Sequence, residues 1–264
     1  MEKKLGKFIA AFDVDGVLID VTQSYHLALA ETSSYFLNQP VDLKEAILVK
    51  TELGINNDWD ATLACVLFHR SGRPWEKYRS FFTSGLADFH QVYRLAEQWN
   101  VVLPDYRTVI EEFENRYRKH RDQEKLRIPL PLLAEIKKEA DFLGVITGRT
   151  REDLDFSFNR FSLHEYFEVI LTEDDLPTPE YRKPSPYLLK KLLNKVGSFE
   201  GACYVGDTLV DKLMVENYNQ AEKQTVFFIL FRHDLNQQVK SEHLALFPEE
   251  VLEEIIRVKH RPGR

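Results

Sequence analysis

Four short stretches, spread over nearly the whole chain, carry acidic, hydroxyl and basic residues, and three of them lie at the ends of apolar runs. In sequence order they are Phe12-Asp13-Val14-Asp15-Gly16-Val17-Leu18, Val145-Ile146-Thr147-Gly148-Arg149-Thr150, Arg182-Lys183-Pro184-Ser185-Pro186 and Tyr204-Val205-Gly206-Asp207-Thr208-Leu209-Val210-Asp211. Each stretch alone is a weak signal, since Gly-Asp-Thr, for example, is also an ordinary turn sequence. Together, in this order, they predict a site for phosphoryl transfer and require a fold that brings four distant segments to one place.

The regions around these stretches alternate short apolar runs with helical patterns, which is typical of a parallel sheet. The predicted strands cover residues 8–13, 143–147, 168–171, 202–206 and 225–230, and the predicted helices 130–140, 151–161 and 186–196. Thr150 is the expected N-cap of the second helix, and Gly197 is expected to end the third. The pattern predicts a doubly wound α/β core.

Residues 21–125 show helical patterns alone. Asp42 and Glu45 have capping-box spacing, Asp58 begins a pattern that ends near Gly72, and a longer amphipathic helix is expected over 104–120. We therefore predict two domains, a catalytic core of residues 1–20 and 126–264 and an all-helical domain of residues 21–125. A helical insert at this place suits a mobile lid, because closure excludes water from a reacting phosphoryl group.

The first stretch supplies the groups that would carry out the reaction. Asp13 can attack phosphorus and form an aspartyl-phosphate, which water then hydrolyses. Asp15, two residues later, can protonate the leaving oxygen and afterwards deprotonate the water. Both side chains are expected at the carboxyl end of the first strand, where open α/β sheets bind their ligands.

Asp207, with Asp211 behind it, brings further negative charge to the same place. At about 4 Å and an effective dielectric constant of about 20, each pair of like charges costs roughly 4 kcal/mol. The carboxylates therefore require a cation, and Mg²⁺ fits best because it is hard and prefers oxygen ligands.

The remaining groups are predicted to bind the phosphate. Thr147 offers a hydroxyl, and the amides of Gly148 and Arg149 lie where a helix begins, which favours anions. Lys183 adds a compact positive charge that offsets the nucleophile and the transferring group.

These residues and their order resemble the haloacid dehalogenase superfamily of aspartate-nucleophile phosphotransferases. Asp13 matches the family nucleophile, Asp15 the acid/base and Thr147 the phosphate-binding hydroxyl. The insert resembles the helical cap of the phosphoglycolate phosphatase-like and β-phosphoglucomutase-like branch, which implies a Rossmann-like core. Dehalogenase members lack an acid at the position of Asp15, so its presence favours a phosphatase or a phosphomutase.

The resemblance also implies a metal site. Lys183 matches the lysine of the third motif, and Asp207 matches the metal-binding acid of the fourth, with Asp211 as an outer partner. The family's metal is Mg²⁺, which Asp13, the backbone carbonyl of Asp15 and Asp207 would hold.

The leading functional interpretation is a Mg²⁺-dependent phosphatase acting on a small phosphate monoester of the phosphoglycolate or sugar phosphate class. A sugar phosphomutase is the alternative with the same chemistry. A non-catalytic binding protein on the same fold is a remote alternative, because such a protein should have lost the nucleophile, the acid or the lysine.

The segment Gly54-Ile55-Asn56-Asn57-Asp58-Trp59-Asp60 has two interpretations. In one it is a plain loop between helices, with Asn57 as a turn former and Asp58 as the helix cap. In the other, Asn57 and Trp59 contact the substrate and set specificity. The structural interpretation is slightly favoured.

Composition limits the other classes of function. The formal net charge of −7 argues against a nucleic-acid surface, which is normally basic. Two cysteines give no disulfide framework, and neither a signal peptide nor a stretch of 18 apolar residues is found, so a cytoplasmic protein without membrane contact is expected. The tail, 233–264, shows no residues with evident chemistry, and the oligomeric state is not specified by the sequence.

Overall fold

The computed structural model describes residues 7–82, 87 and 89–261, and it divides into two compact units. The first unit holds Met1–Asp20 and Lys125–Arg264, and the second holds Val21–Glu124. The strands are β1 (Phe8–Phe12), β2 (Ile19–Asp20), β3 (Lys125–Leu126), β4 (Phe142–Ile146), β5 (Val169–Leu171), β6 (Gly201–Gly206), β7 (Val226–Phe231) and β8 (His243–Ala245). The helices are α1 (Tyr25–Leu37), α2 (Leu43–Glu52), α3 (Asp58–Ser71), α4 (Trp75–Arg79), α5 (Phe89–Gln98), α6 (Tyr106–His120), α7 (Leu130–Glu139), α8 (Arg151–Phe161), α9 (Tyr187–Val196), α10 (Leu209–Ala221) and α11 (Pro248–Lys259).

The first unit is built on a six-stranded parallel sheet with the strand order β5-β4-β1-β6-β7-β8. All five predicted strands are present, with ends that differ by at most one residue. The sixth strand, β8, was not predicted, and its sequence His243-Leu244-Ala245 is not an apolar run of the kind that marks the other strands. The doubly wound α/β fold is thereby confirmed.

Helices cover both faces of this sheet, as the unbroken apolar sequence of β1 requires. On one face α9 packs on β4 and β5, and α10 packs on β6 and β7. On the other face α11 contacts β6, β7 and β8 and also packs against α7. Ile9 and Ala11 belong to the core cluster beneath α9 and α10, so the alternate residue Ala10 faces the opposite layer.

The strand order determines where the polar residues gather. Strands β4, β1 and β6 are neighbours and run parallel, so their carboxyl ends lie at one edge of the sheet. Thr147, Asp13 and Asp207 are the residues that immediately follow these three strands. The fold therefore brings them to the edge where doubly wound sheets bind ligands.

The second unit contains α1 to α6 and, among its described residues, no strand. The Asp42 side chain caps α2 by accepting hydrogen bonds from the amides of Lys44 and Glu45. Helix α3 ends at Gly72 in a left-handed conformation, as predicted. Its N-cap is Asn57, so the prediction of Asp58 as the cap was wrong by one residue.

Among the described residues, no helix combines the length and the apolar character needed to cross a membrane.

Candidate active site

Asp13 lies directly after β1 and is 6% exposed. Its backbone amide donates to the Val205 carbonyl at 2.9 Å, which continues the pairing of β1 with β6. Its Oδ1 accepts from the Val14 amide at 2.8 Å and lies 3.0 Å from Lys183 Nζ. Two donors on one oxygen hold the carboxylate in a single orientation.

Lys183 joins two of the acidic residues. Its ammonium donates to Asp211 Oδ1 and to the Tyr204 hydroxyl, each at 2.7 Å, in addition to the contact with Asp13. These three contacts use the three N–H groups of the ammonium, and the side chain is 4% exposed. Burial works against the charge, but Asp13 and Asp211 outweigh it and raise the pKa of Lys183 above its ordinary value.

Asp211 is fully buried at the start of α10. Its Oδ1 contacts Lys183 and the Tyr204 hydroxyl, and its Oδ2 accepts from the Thr208 amide and hydroxyl in a capping box. Both oxygens are thus occupied by donors. This arrangement suits a residue that holds Lys183 in place, rather than one that binds a ligand directly.

Tyr204 was overlooked in the sequence because it reads as part of an apolar strand. Its hydroxyl lies 3.1 Å from the Ile146 carbonyl and accepts from Lys183, so it connects β4 with the acidic cluster. Burial, together with the charges of Asp211 and Asp13, raises the pKa of Tyr204, so the hydroxyl keeps its proton.

Asp207 follows β6 and is 7% exposed. Its Oδ2 lies 2.8 Å from His233 Nε2, whereas its Oδ1 is buried with no hydrogen-bond partner among the described residues. Gly16 packs against this carboxylate: a Cβ added there would lie 2.1 Å from Oδ2. Since Gly16 also has a φ of +73°, a side chain is disfavoured for two independent reasons.

The acidic cluster fits a hard divalent cation. Carboxylate oxygens of Asp13, Asp207 and Asp211 lie within 4.8 Å of one another, and all three residues are buried. Burial raises the pKa of Asp13 well above its ordinary value, with Asp211 and Asp207 adding to the effect and Lys183 opposing it. Burial also raises the pKa of Asp207, although His233 opposes the rise. The unsatisfied Oδ1 of Asp207 is the kind of group that a metal ion satisfies.

Asp15 is held by Arg149, whose side chain was not recognised in the sequence. The Arg149 Nε lies 2.7 Å from Asp15 Oδ1, and a terminal nitrogen lies 2.6 Å from the same oxygen. Arg149 is 3% exposed and its other terminal nitrogen donates to Ser157 in α8 at 2.7 Å. A buried guanidinium that is held by a residue of α8 therefore orients the second acid.

Thr147 is 1% exposed at the end of β4, and Gly148 beside it is exposed. The Arg149 amide donates to the Thr147 hydroxyl oxygen at 3.1 Å. The sequence analysis predicted that the Arg149 amide binds an anion, whereas in the structure this amide donates to Thr147. The amide of Gly148 and the hydroxyl proton of Thr147 are the donors at this strand end that suit a phosphate.

Asn57 and Trp59 belong to the second unit, where both have structural contacts. Asn57 Oδ1 accepts from the amides of Trp59 and Asp60 at 2.9 and 3.2 Å. The Trp59 indole nitrogen donates to Glu114 Oε1 at 3.0 Å and so ties α3 to α6. These contacts agree with the structural interpretation of the segment.

The tail, in which the sequence showed no residues with evident chemistry, has two residues that contact Asp207. His233 contacts Asp207, and the Asn236 amide group donates to the Asp207 carbonyl at 2.8 Å. A single histidine two residues beyond a strand is a weak signal by itself. The position of β7 beside β6 in the sheet order is what brings it to Asp207.

Comparisons with known proteins identify the family of this chain. The family model for haloacid dehalogenase-like hydrolases matches residues 75–222, which is more than half of the chain and includes the second, third and fourth stretches. The pyrophosphatase PpaX of Bacillus cereus is 31% identical over 105 residues, which are 37% of this chain and 47% of the relative. The chain thus spans about half the length of the curated relatives it matches.

Solved structures support the fold. Phosphatase Tt82 from Thermococcus thioreducens has a TM-score of 0.65 at 24% identity, over 94% of this chain and 99% of that one. A predicted phosphoglycolate phosphatase from Haemophilus somnus has a TM-score of 0.65 at 14% identity, over 96% and 99%. Because the family model matches more than half of the chain and includes three of the four motifs, the chain belongs to the haloacid dehalogenase-like hydrolases.

Proposed function

We propose that the protein is a Mg²⁺-dependent phosphatase that hydrolyses a small phosphate monoester through an aspartyl-phosphate on Asp13. The observation that carries the proposal is the buried cluster in which Lys183 lies between Asp13 and Asp211, while one oxygen of Asp207 has no hydrogen-bond partner among the described residues. A buried carboxylate that is oriented by two donors and lies beside a fixed ammonium suits a nucleophile for a dianionic phosphate.

In this proposal Asp13 attacks phosphorus, and the alcohol of the substrate leaves. Asp15 donates a proton to the leaving oxygen and then takes one from the water that hydrolyses the acyl phosphate. Arg149 keeps the Asp15 carboxylate in position for both steps, because its own side chain is fixed by Ser157.

The phosphoryl oxygens would be bound by two donors of this chain, the hydroxyl of Thr147 and the amide of Gly148. The ammonium of Lys183, whose N–H groups are engaged by Asp13, Asp211 and Tyr204, would attract the phosphate through its charge. The two donors lie at the end of β4, and Lys183 reaches the cluster from the loop before α9. Fixed donors of this kind stabilise the charge that spreads over the phosphoryl oxygens in the transition state.

Mg²⁺ would be held by the carboxylates of Asp13 and Asp207 and by the backbone carbonyl of Asp15. When bound, it neutralises charge on the carboxylates and on the phosphoryl oxygens. Asp211 would not bind the ion directly, since its two oxygens are engaged by Lys183, Tyr204 and Thr208.

The proposed substrates are phosphoglycolate and the sugar phosphates, in keeping with the branch that the insert resembles. The net charge of −7 supports a small molecule rather than a nucleic acid. Inorganic pyrophosphate is a second candidate, because the relative from Bacillus cereus is named a pyrophosphatase. Sugar phosphomutase activity is the alternative with the same first step.

Release of inorganic phosphate from a panel of phosphoglycolate, sugar phosphates and pyrophosphate tests the proposal. We expect release by the wild-type protein with Mg²⁺, none with a chelator, and none by Asp13→Asn, whose amide is a poor nucleophile of nearly the same shape. Asp174→Asn, on an acid that contacts the Arg151 amide away from the cluster, is the matched control.

Two results would contradict the proposal. Turnover by Asp13→Asn at more than a few per cent of the wild-type rate would exclude covalent catalysis at that residue. Isomerisation of a sugar phosphate that depends on a bisphosphate activator, without release of phosphate, would assign the phosphomutase reaction instead.

A further inference from the structure

The loop that follows β7 contacts both the side chain and the backbone of Asp207. His233 Nε2 lies 2.8 Å from Asp207 Oδ2, and Asn236 Nδ2 donates to the Asp207 carbonyl at 2.8 Å. None of the four sequence motifs includes either residue. The other oxygen of this acid, Oδ1, has no hydrogen-bond partner in the part of the chain that the structure describes.

The hydrogen bonds of His233 determine which ring nitrogen carries the proton. The Leu235 amide donates to His233 Nδ1 at 3.2 Å, so Nδ1 is an acceptor. The proton of the neutral ring is therefore on Nε2, and that nitrogen donates to Asp207 Oδ2. The imidazole fixes one carboxylate oxygen by donation and needs no charge of its own to do so.

Asn236 fixes the position of the histidine. It is 4% exposed, and its Oδ1 accepts from the His233 amide at 3.0 Å. Its Nδ2 also donates to the Phe231 carbonyl at 3.0 Å, so one side chain connects the end of β7, the His233 backbone and the Asp207 backbone. A side chain with this many partners leaves the loop little freedom to shift against β6.

Gly16 packs against the carboxylate of Asp207. A Cβ on Gly16 would lie 2.1 Å from Oδ2, so the lack of a side chain there leaves room for this oxygen, and the contact with His233 holds it in that place. Among the described residues, Oδ1 is then the oxygen of Asp207 left to face a cation.

We propose that His233 and Asn236 are positioning residues that present a single oxygen of Asp207, Oδ1, to the metal ion. This inference rests on the proposed function, in which Asp207 is a Mg²⁺ ligand. Hydrogen-bonded partners behind a metal ligand fix its orientation, and their loss typically weakens metal affinity by about ten- to hundredfold. Loss of the His233 donor also leaves Oδ2 buried without a partner, which favours rotation of the carboxylate away from the ion.

Metal binding without substrate tests the inference. Mn²⁺ is titrated into the metal-free protein, and the free ion is measured by its electron paramagnetic resonance signal. We expect His233→Ala to weaken Mn²⁺ binding by about ten- to hundredfold. His233→Gln keeps an amide donor near the position of Nε2, so its affinity should lie closer to that of the wild-type protein than to that of His233→Ala.

The matched control is His243→Ala. His243 is a buried histidine of the same unit that contacts Glu254 at 2.9 Å, and it lies in β8 rather than in the loop after β7. We expect this variant to lower the melting temperature while leaving Mn²⁺ affinity unchanged. Equal loss of affinity in His233→Ala, His233→Gln and His243→Ala would show a general loss of structure and overturn the positioning role.

The outcome for the wild-type protein separates the two proposals. If wild type binds Mn²⁺ and Asp207→Asn does not, the metal site stands, and an unchanged affinity in His233→Ala overturns the positioning role alone. If wild type does not bind Mn²⁺, or Asp207→Asn binds it equally well, the proposed metal site is overturned together with the inference that rests on it.

Discussion

Replacement of Lys183 by Met should cost far more stability than the loss of one hydrogen-bonded lysine elsewhere in the protein. Lys183 contacts Asp13 at 3.0 Å and Asp211 at 2.7 Å, and its side chain is 4% exposed. At an effective dielectric constant of about 20, each contact is an attraction of about 5–6 kcal/mol before the cost of desolvation. Removal of one partner from a buried ion pair usually costs about 3–5 kcal/mol, because the other charge stays buried.

The charge balance of the cluster gives a second estimate. Once the ammonium is lost, uptake of one proton by the acidic cluster restores the previous net charge. Relative to an ordinary aspartate with a pKa of about 3.9, that proton costs about 4 kcal/mol at pH 7 and about 1–2 kcal/mol at pH 5. We therefore expect Lys183→Met to lower the free energy of unfolding by about 4 kcal/mol at pH 7 and clearly less at pH 5.

Urea denaturation of the metal-free protein at both pH values measures this difference. The matched control is Lys191→Met, since Lys191 contacts Asp175 at 3.0 Å but its side chain is 30% exposed, and such pairs contribute at most about 1 kcal/mol. Lys183→Met combined with Asp211→Asn should regain much of the lost stability and none of the activity. A loss for Lys183→Met that matches the control, or that does not change with pH, would refute the reasoning.

Three further predictions concern the rest of the site. Gly16→Ala should weaken Mg²⁺ binding, measured by calorimetry, because the new methyl group displaces the carboxylate beside it and the left-handed backbone adds about 1–2 kcal/mol of strain. Burial raises the pKa of Asp13 and of Asp207 in the folded protein. The free energy of unfolding that their protonated forms contribute is therefore greatest below the pKa of an unfolded aspartate, and it is lost as pH rises through the raised pKa of the folded state. Mg²⁺ favours the ionised carboxylates, so the rise in melting temperature that Mg²⁺ causes should be larger at pH 8 than at pH 5. A rise of the same size at both pH values would contradict this prediction. Asn57→Ala removes a helix cap and Trp59→Phe removes a hydrogen bond, so each should lower the free energy of unfolding by about 1 kcal/mol. A loss of kcat/KM that is confined to one substrate would instead assign these residues to substrate recognition.

The sequence was sufficient for those parts of the structure that depend on local pattern. Strand β1 is five apolar residues followed directly by Asp13, and helix α8 begins after the Thr150 cap and covers the predicted residues. Both features depend on neighbours in the chain, so they can be recognised without knowledge of the fold. The order of the four motifs then located the acids at the ends of adjacent strands.

The residues that the sequence did not reveal act through partners that are distant in the chain. Arg149 lies 134 positions from Asp15, and His233 lies 26 positions from Asp207. Tyr204 was hidden for another reason, since an aromatic residue in a buried strand is ordinarily core. Its hydroxyl acquires a role only because Lys183 enters from a separate loop.

The charges in the site explain why its parts belong together. Asp15 and Arg149 form a balanced pair, whereas Asp13, Asp207 and Asp211 share the single ammonium of Lys183. The positive charge of Arg127 also acts on Asp207. When all three carboxylates are ionised, the cluster still carries an excess of negative charge, which a divalent cation would offset. An arriving phosphate dianion then restores the excess of negative charge, which the hydroxyl and amide donors at the end of β4 oppose without adding charge of their own.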